Sequence, residues 1–499
     1  MLVVLEASPQ SSAQKDEGSK NPQRRRDGCS ECRRKKVKCD LRRPVCSRCT
    51  RYPKECRYGF NFISERQHPK RQESVKRHHR SPHHRSPTRP AISSSVNEPL
   101  ALPHQLHLNP SPLLSCRESL FFLRLFATET APLLFPAAPK LFVHQLVNRA
   151  LDSPHLIHAL LAAASSHHGR LVGDRSTRAR TTTLKFTNLA LSSLRTALCR
   201  TEDMSKGETV MTALALCTND ICNGNRDIWR AHLSGATRLL AAFLDHPSNM
   251  SSVADPFDLC LVKWFATLDI MASLAGIGKS PADEDRCWYL NKLPDTHPGF
   301  VDDISGYSPE LMPMLARIGE MASRQDLRAA IEQGTQFILP RQLLEEAQEL
   351  EASIISISDR AVSEATLKNH GSALAADLRH THCAFVHATL LHLHRRVLLL
   401  QRDHGQVTED IAHITNAISR INPLSPANIL ILWPMFSAGC ETNLISERNL
   451  IQNRMGNMQN LGMGNYTRAK ELMRAFWMSG SALPWDVYFA KLEIELVLF

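Results

Sequence analysis

The sequence predicts a small metal-held module, a basic linker without a core and a large all-α body, and three observations predict it. Six cysteines between residues 29 and 56 fall at C-x2-C-x6-C-x6-C-x2-C-x6-C, and the first x6 segment, Arg33-Arg-Lys-Lys-Val-Lys38, is almost wholly basic. From Arg57 to Pro112, proline, histidine and serine dominate. Beyond about residue 115 apolar residues recur at spacings of three and four, the period of a helix, and no stretch alternates convincingly at period two.

Composition narrows the class of function. A chain of 499 residues has room for roughly three domains. Its formal net charge is +11, yet the first 100 residues alone carry +14 and the remainder balances to −3. Such asymmetry points to a polyanionic partner for the N-terminal end, because neutralising phosphates releases counterions. The body is not itself a DNA-wrapping surface. Met-Leu-Val-Val-Leu-Glu6 is too short and too acidic for a secretory signal, and no apolar run approaches the ~18 residues of a membrane span. A soluble intracellular protein with no membrane partner is expected, and in that compartment cysteines at fixed spacing read as metal ligands before disulfides. The other eight cysteines, at 116, 199, 217, 222, 260, 287, 383 and 440, contain no second C-x2-C and read as small buried apolar residues.

In chain order, residues 1–23 lack sustained apolar periodicity and are predicted to be disordered. Residues 24–58 form the metal module. Zinc takes four ligands, so Cys29, Cys32, Cys39, Cys46, Cys49 and Cys56 supply either one filled site with two cysteines left over or two sites sharing two thiolates. The repeat of C-x2-C-x6-C favours sharing, and Cys29 and Cys46, which open the two halves, are the natural bridges. Each half is expected to begin as a short helical turn, with Pro44 helping to reverse the chain between them. So small a segment has almost no apolar core, so metal binding must supply its folding energy.

This segment resembles the fungal binuclear zinc-cluster transcription regulators at all six cysteines, the basic x6 segment and the loop proline. The resemblance implies two Zn2+ ions, double-stranded DNA as the partner, and a nuclear protein that regulates transcription by RNA polymerase II together with the transcription machinery or co-regulators. It also implies residue roles. Lys36, with Lys35 beside it, stands where the family's first helix reads a CGG-like triplet in the major groove, while Arg33, Arg34 and Lys38 are placed for phosphates. A lysine at a major-groove edge can donate to guanine O6 and N7.

Residues 59–114 carry the tandem His78-His-Arg-Ser-Pro82 and His83-His-Arg-Ser-Pro87 and read as a disordered, hydrated basic linker. Many members of the family follow the cluster with a short coiled coil. Here Tyr58-Gly-Phe-Asn-Phe-Ile-Ser-Glu65 runs into Pro69 without a heptad. Specificity beyond a short triplet is then expected from the linker's phosphate contacts, from a homodimer paired through the helical body, or from another protein.

Residues 115–499 are predicted as an α-helical regulatory body, with helices over 119–126, 154–164, 184–198, 229–243, 257–274, 374–400 and 429–436. Three stretches, Trp229 to Leu240, Trp264 to Leu274 and Trp433 to Glu441, with Gly462-Met-Gly-Asn465 leading into a last pair of helices, resemble the second type of fungal-specific transcription factor domain. His232, Asp269 and Glu441 are candidates for an effector pocket, although hydrogen-bonded core polars that fix helix packing are the expected reading. His380, His387 and His394 recur every seven residues with Cys383 among them; nearly two turns separate successive rings, too far for one shared ion, so a polar or half-buried stripe is expected. Gly276-Ile-Gly-Lys-Ser280 ends like a phosphate loop, but Ser273 stands where the first glycine should be, and the segment follows a helix. No catalytic residues are assigned and an enzyme is not expected. The rival reading is a helical effector-binding or enzymatic body merely tethered to DNA by the cluster.

Overall fold

A computed structural model describes Cys32, Lys35, Val37 and Ser47–Cys49, and then residues 116–499 apart from 225–227, 247–254, 275–286, 295, 334–336 and 364–369. Among the described residues of the body the regular structure is helical, with no strand. The α-helices of seven residues or more are α1 (Arg117–Leu125), α2 (Lys140–Leu151), α3 (Pro154–Leu171), α4 (Thr177–Ala197), α5 (Gly207–Asn223), α6 (Ile228–Asp245), α7 (Pro256–Ser273) and α8 (Leu311–Ala322). Then follow α9 (Gln325–Gln333), α10 (Arg341–Ser358), α11 (Ser372–Arg396), α12 (Gly405–Arg420), α13 (Leu432–Glu441), α14 (Ile445–Asn460), α15 (Gly464–Ser479) and α16 (Trp485–Lys491).

Sequence periodicity sorts these helices into inner and outer sets. α3 opens on Pro154, whose fixed φ suits a first helical position, and buries every residue from His155 to His167. A helix buried all round must be surrounded by others. α7 and α13 behave alike: α13 is buried from Leu432 through Glu441. By contrast α4 buries only Phe186, Ala190, Leu194 and Ala197, a single stripe laid against α3. α12 buries one face, from Val407 to Ile418, against α11. On α6 the predicted stripe of Trp229, Leu233, Ala236, Leu240 and Phe243 is buried throughout, each large side chain contributing about 1.5–3 kcal/mol by leaving water.

Two elements differ from expectation. The apolar run predicted as helix to Leu400 leaves the helix after Arg396, and Leu399 takes a left-handed φ of 56°. That bend lets the Arg395 guanidinium donate to the Leu400 carbonyl, a bond a continuing helix would prevent. The stretch predicted over 429–436 is divided between a 3-10 turn, Pro426–Ile429, and the start of α13. Pro434 explains the division, since it is tolerated in a first turn and excluded from a helix interior.

The turn before α15 needs its glycines. Gly462 has φ 76°, and a Cβ there would stand 3.0 Å from the His167 ring. A Cβ on Gly464 would stand 2.6 Å from the Cys222 carbonyl oxygen. The turn therefore seats α15 directly on α3 and α5, and the chain end follows it inward, with Leu496, Val497 and Leu498 buried.

Candidate zinc cluster and nucleic-acid interface

The described residues of the cluster fall at matching places in the two halves. Cys32 and Cys49 each close a C-x2-C pair, and both are buried thiols, 2% and 4% exposed. Cys49 ends a 3-10 turn, Ser47–Cys49, and Cys32 has helical backbone whose carbonyl accepts from Val37 N–H at 3.0 Å. Burial of two thiols in a segment with almost no apolar side chains fits soft, metal-ligating sulfur better than a hydrophobic core. Lys35, on the basic segment, is exposed. Cys29, Cys39, Cys46, Cys56, Arg33, Arg34, Lys36 and Lys38 lie outside the described residues, as do residues 59–114.

In the body, the polar residues singled out from the sequence each have a partner. Asp269 accepts a hydrogen bond from Tyr289 Oη at 2.9 Å, and burial together with that carboxylate pushes the phenol well above its ordinary pKa. His232 Nε2 lies 3.5 Å from Asp220 Oδ2, and burial lowers its pKa. Glu441 accepts from Arg395 Nε at 2.7 Å and Arg402 Nε at 3.0 Å. Asp269 and Glu441 are hydrogen-bonded core polars, and His232 is half-buried beside a carboxylate. A cleft of about 1020 Å³ lies elsewhere in the body, between the α1–α2 connection and the start of α11. Phe135, Pro136, Val143 and Leu374 form its apolar wall, and Lys140, His144, His370 and Asp303 its polar groups. Asp303 is 3.2 Å from the buried Lys263 ammonium, which also meets Asp302 at 2.5 Å. Burial opposes the Lys263 charge, but the two carboxylates hold its pKa above the ordinary value.

The histidine stripe is more connected than its spacing implied. His387 Nδ1 and His394 Nδ1 lie 3.3 and 2.7 Å from the two oxygens of Asp410 on α12, so one carboxylate spans the two turns between the rings. His394 Nε2 also meets Glu351 of α10 at 3.1 Å, and His387 stacks on His413 at 4.1 Å. His380 is not part of this set. Asp410 was the missed residue, and its signal was available: it is an acid on the otherwise apolar face of Val407, Ile411, Ile414 and Ile418.

Burial opposes charge on His387, yet hydrogen bonds to Asp410 and Cys383 raise its pKa from the ordinary 6.5 to about 9; His394 is raised too, burial again being outweighed by Asp410 and Glu351. Folded pKa values above the unfolded one mean that this stabilisation is complete below about pH 6.5 and lost as pH rises through about 9. The urea midpoint is therefore expected to fall between pH 6.5 and 9.5 by more in the wild type than in His387→Gln. Equal falls would show that the pair does not carry this dependence.

Comparison with known proteins agrees with both parts of the chain. The model of the fungal Zn(2)-Cys(6) binuclear cluster domain matches residues 27–60, and that of the fungal specific transcription factor domain matches residues 121–499. The chain belongs to the fungal-specific transcription factor family. Its cluster domain is of the kind that binds two zinc ions. Curated relatives match over short segments. The lysine biosynthesis regulatory protein LYS14 of Saccharomyces cerevisiae is 37% identical over 51 residues, 10% of this chain and 6% of that protein. Sterol uptake control protein 2 of Candida albicans is 50% identical over 36 residues, 7% and 5% of the respective chains. Transcription factor lfc1 of Flammulina velutipes is 40% identical over 52 residues, 10% and 18%. Each match thus spans far less than two thirds of the relative's length. No solved structure matches the chain. Among the described residues no helix is long and apolar enough to cross a membrane.

Proposed function

We propose that the chain is a nuclear, sequence-specific regulator of RNA polymerase II transcription that reads a CGG-like triplet through residues 24–58. The observation that carries this reading is the six-cysteine spacing with Arg33 to Lys38 filling its first x6 segment. Cys29, Cys32, Cys39, Cys46, Cys49 and Cys56 hold two Zn2+ ions, with Cys29 and Cys46 bridging; bound zinc supplies the cross-links that replace a hydrophobic core. Lys36, with Lys35, donates to guanine edges, whereas Arg33, Arg34 and Lys38 neutralise phosphates and set the register. The linker, residues 59–114, adds basic reach, and residues 115–499 regulate output, with pairing of two bodies or a second protein extending the site read.

Lys36→Ala is expected to weaken binding to CGG-containing duplexes by about 1–3 kcal/mol while random duplex loses far less, because a base contact is removed rather than a phosphate contact. Equal loss on both, measured by titration at one salt concentration, would refute the base-reading role.

The cleft beside Phe135 and Lys140 favours one further reading, in which the body also binds a small effector. Turnover by residues 115–499 alone would make the body an enzyme tethered to DNA. A reporter that responds to the intact chain but not to Cys32→Ser would count against that.

A further inference from the structure

α4 carries two apolar stripes, and only one is covered. Phe186, Ala190, Leu194 and Ala197 pack inward against α3. On another side Leu184, Leu191 and Leu198 follow one another at seven residues and are 60%, 39% and 40% exposed. Leucines repeated every seven residues line one side of a helix within ~20° of drift per repeat, the seam against which a second helix interdigitates. Singly exposed leucines need no explanation, but a heptad of them does.

The charge around this seam identifies its occupant. Between Arg175 and Arg200 the chain has six Arg or Lys and no Asp or Glu. Arg178, Arg180, Lys185 and Arg195 of α4 are all exposed. Among the described residues Lys185 pairs with Glu118 of α1 at 3.4 Å, whereas no ion pair within 4.0 Å holds Arg178, Arg180 or Arg195. A second copy laid on this seam would set cation against cation in either direction, the arrangement that flanking charges disfavour. Residues 1–100 of the same chain, at +14, have the same sign. A helix with leucine-like residues on one side and acids flanking them satisfies both the seam and the arginines. α1, tied to α4 through Glu118, exposes Leu120, Phe121, Arg117 and Arg124, the same mixture of apolar and basic groups.

We propose that α4 is a docking surface for an acidic amphipathic helix of another protein, seated on Leu184, Leu191 and Leu198 and held by Arg180 and Arg195. The partner this chemistry selects is a co-regulator segment rather than nucleic acid, whose phosphates would leave the leucines unused. The inference goes beyond DNA reading and is measured without DNA, so either can fail alone.

The test uses the full-length, zinc-loaded chain and three labelled helical peptides of about 21 residues, the length of α4. One has leucine at heptad a and d positions with glutamate at e and g, one replaces glutamate by lysine, and one replaces leucine by serine. Fluorescence anisotropy is expected to show binding of the Glu/Leu peptide alone, weakening with salt. Leu184→Ser with Leu191→Ser should reduce affinity on the order of 10-fold or more, each leucine contributing partial burial. Arg180→Glu with Arg195→Glu should lose the Glu/Leu peptide and gain the Lys/Leu one. Because all four positions are exposed, circular dichroism and Tm should match the wild type, which separates lost docking from misfolding. Absence of Glu/Leu binding, equal binding of the Lys/Leu peptide, or variants that bind like the wild type would overturn the proposal. So would a dimer in sedimentation that Leu184→Ser with Leu191→Ser dissolves, since the seam would then belong to a second copy.

Discussion

Replacing Glu441 with leucine is expected to lower the unfolding free energy of the body by about 3–5 kcal/mol, the cost of stranding buried charge. The Glu441 side chain is 2% exposed and its Oε2 accepts from two guanidinium groups, Arg395 and Arg402, themselves 5% and 18% exposed. Each terminal guanidinium nitrogen also donates to backbone: Arg395 to the Leu400 and Ala482 carbonyls, and Arg402 to Ser481 at 2.8 Å and Leu483 at 3.1 Å. One carboxylate on α13 thus joins the end of α11, the segment after it and the connection from α15 to α16. Without it one buried and one largely buried cation lose their counter-ion, and neither can retreat without abandoning its carbonyls. An exposed pair provides the scale. Arg341 and Glu345 on α10 are 91% and 54% exposed, and Arg341→Ala is expected to change stability by no more than about 0.5 kcal/mol. Urea denaturation of both variants, followed by far-ultraviolet circular dichroism, compares them directly. A Glu441→Leu loss no larger than that of Arg341→Ala would show that the buried node does not hold these segments together.

Stripping zinc from the full-length chain is expected to abolish recognition of CGG-containing duplexes while leaving most of the helical signal in place. Structural zinc typically supplies about 10–16 kcal/mol to a small domain of this kind, far more than the few apolar side chains between Cys29 and Cys56 could. The body's helices rest instead on a continuous buried core that runs from Phe122 to Leu498. Adding zinc back should restore specific binding at two equivalents per chain, the stoichiometry required by two sites with Cys29 and Cys46 as shared ligands. Recovery at one equivalent would favour a single four-cysteine site, and a collapse of the helical signal on chelation would mean that the body depends on the cluster for its fold.

Much of the helical body was legible because its residues obey one rule at short range. Trp229, Leu233, Ala236, Leu240 and Phe243 recur at spacings that place them on one side of a helix, and that side is buried. Pro434 was a visible obstacle to a helix over 429–436, and α13 starts where that proline can be accommodated. The end of α11 was not legible. Val397 to Leu400 continues an apolar run, and only the Glu441 node, 46 residues from Arg395, explains why the chain turns out of the helix there. The carboxylate that joins two histidines of α11 was not legible for a similar reason. Seven residues is too far for a shared metal ion, but a carboxylate with two oxygens, arriving from α12, spans it.

The sequence by itself determined that the N-terminal segment is a two-zinc cluster domain, matched over residues 27–60, because cysteine count, spacing and charge are properties of a short segment. It also determined that residues 115–499 are helical, since periodicity is written within each turn. Only the tertiary structure decided which polar side chains are spent on one another, as with Asp410 between His387 and His394, and which apolar stripe remains uncovered, as on α4. Those outcomes depend on what a neighbouring helix, distant in the chain, brings to the contact, and a helix with leucines on two sides carries no mark of which side its neighbours will take.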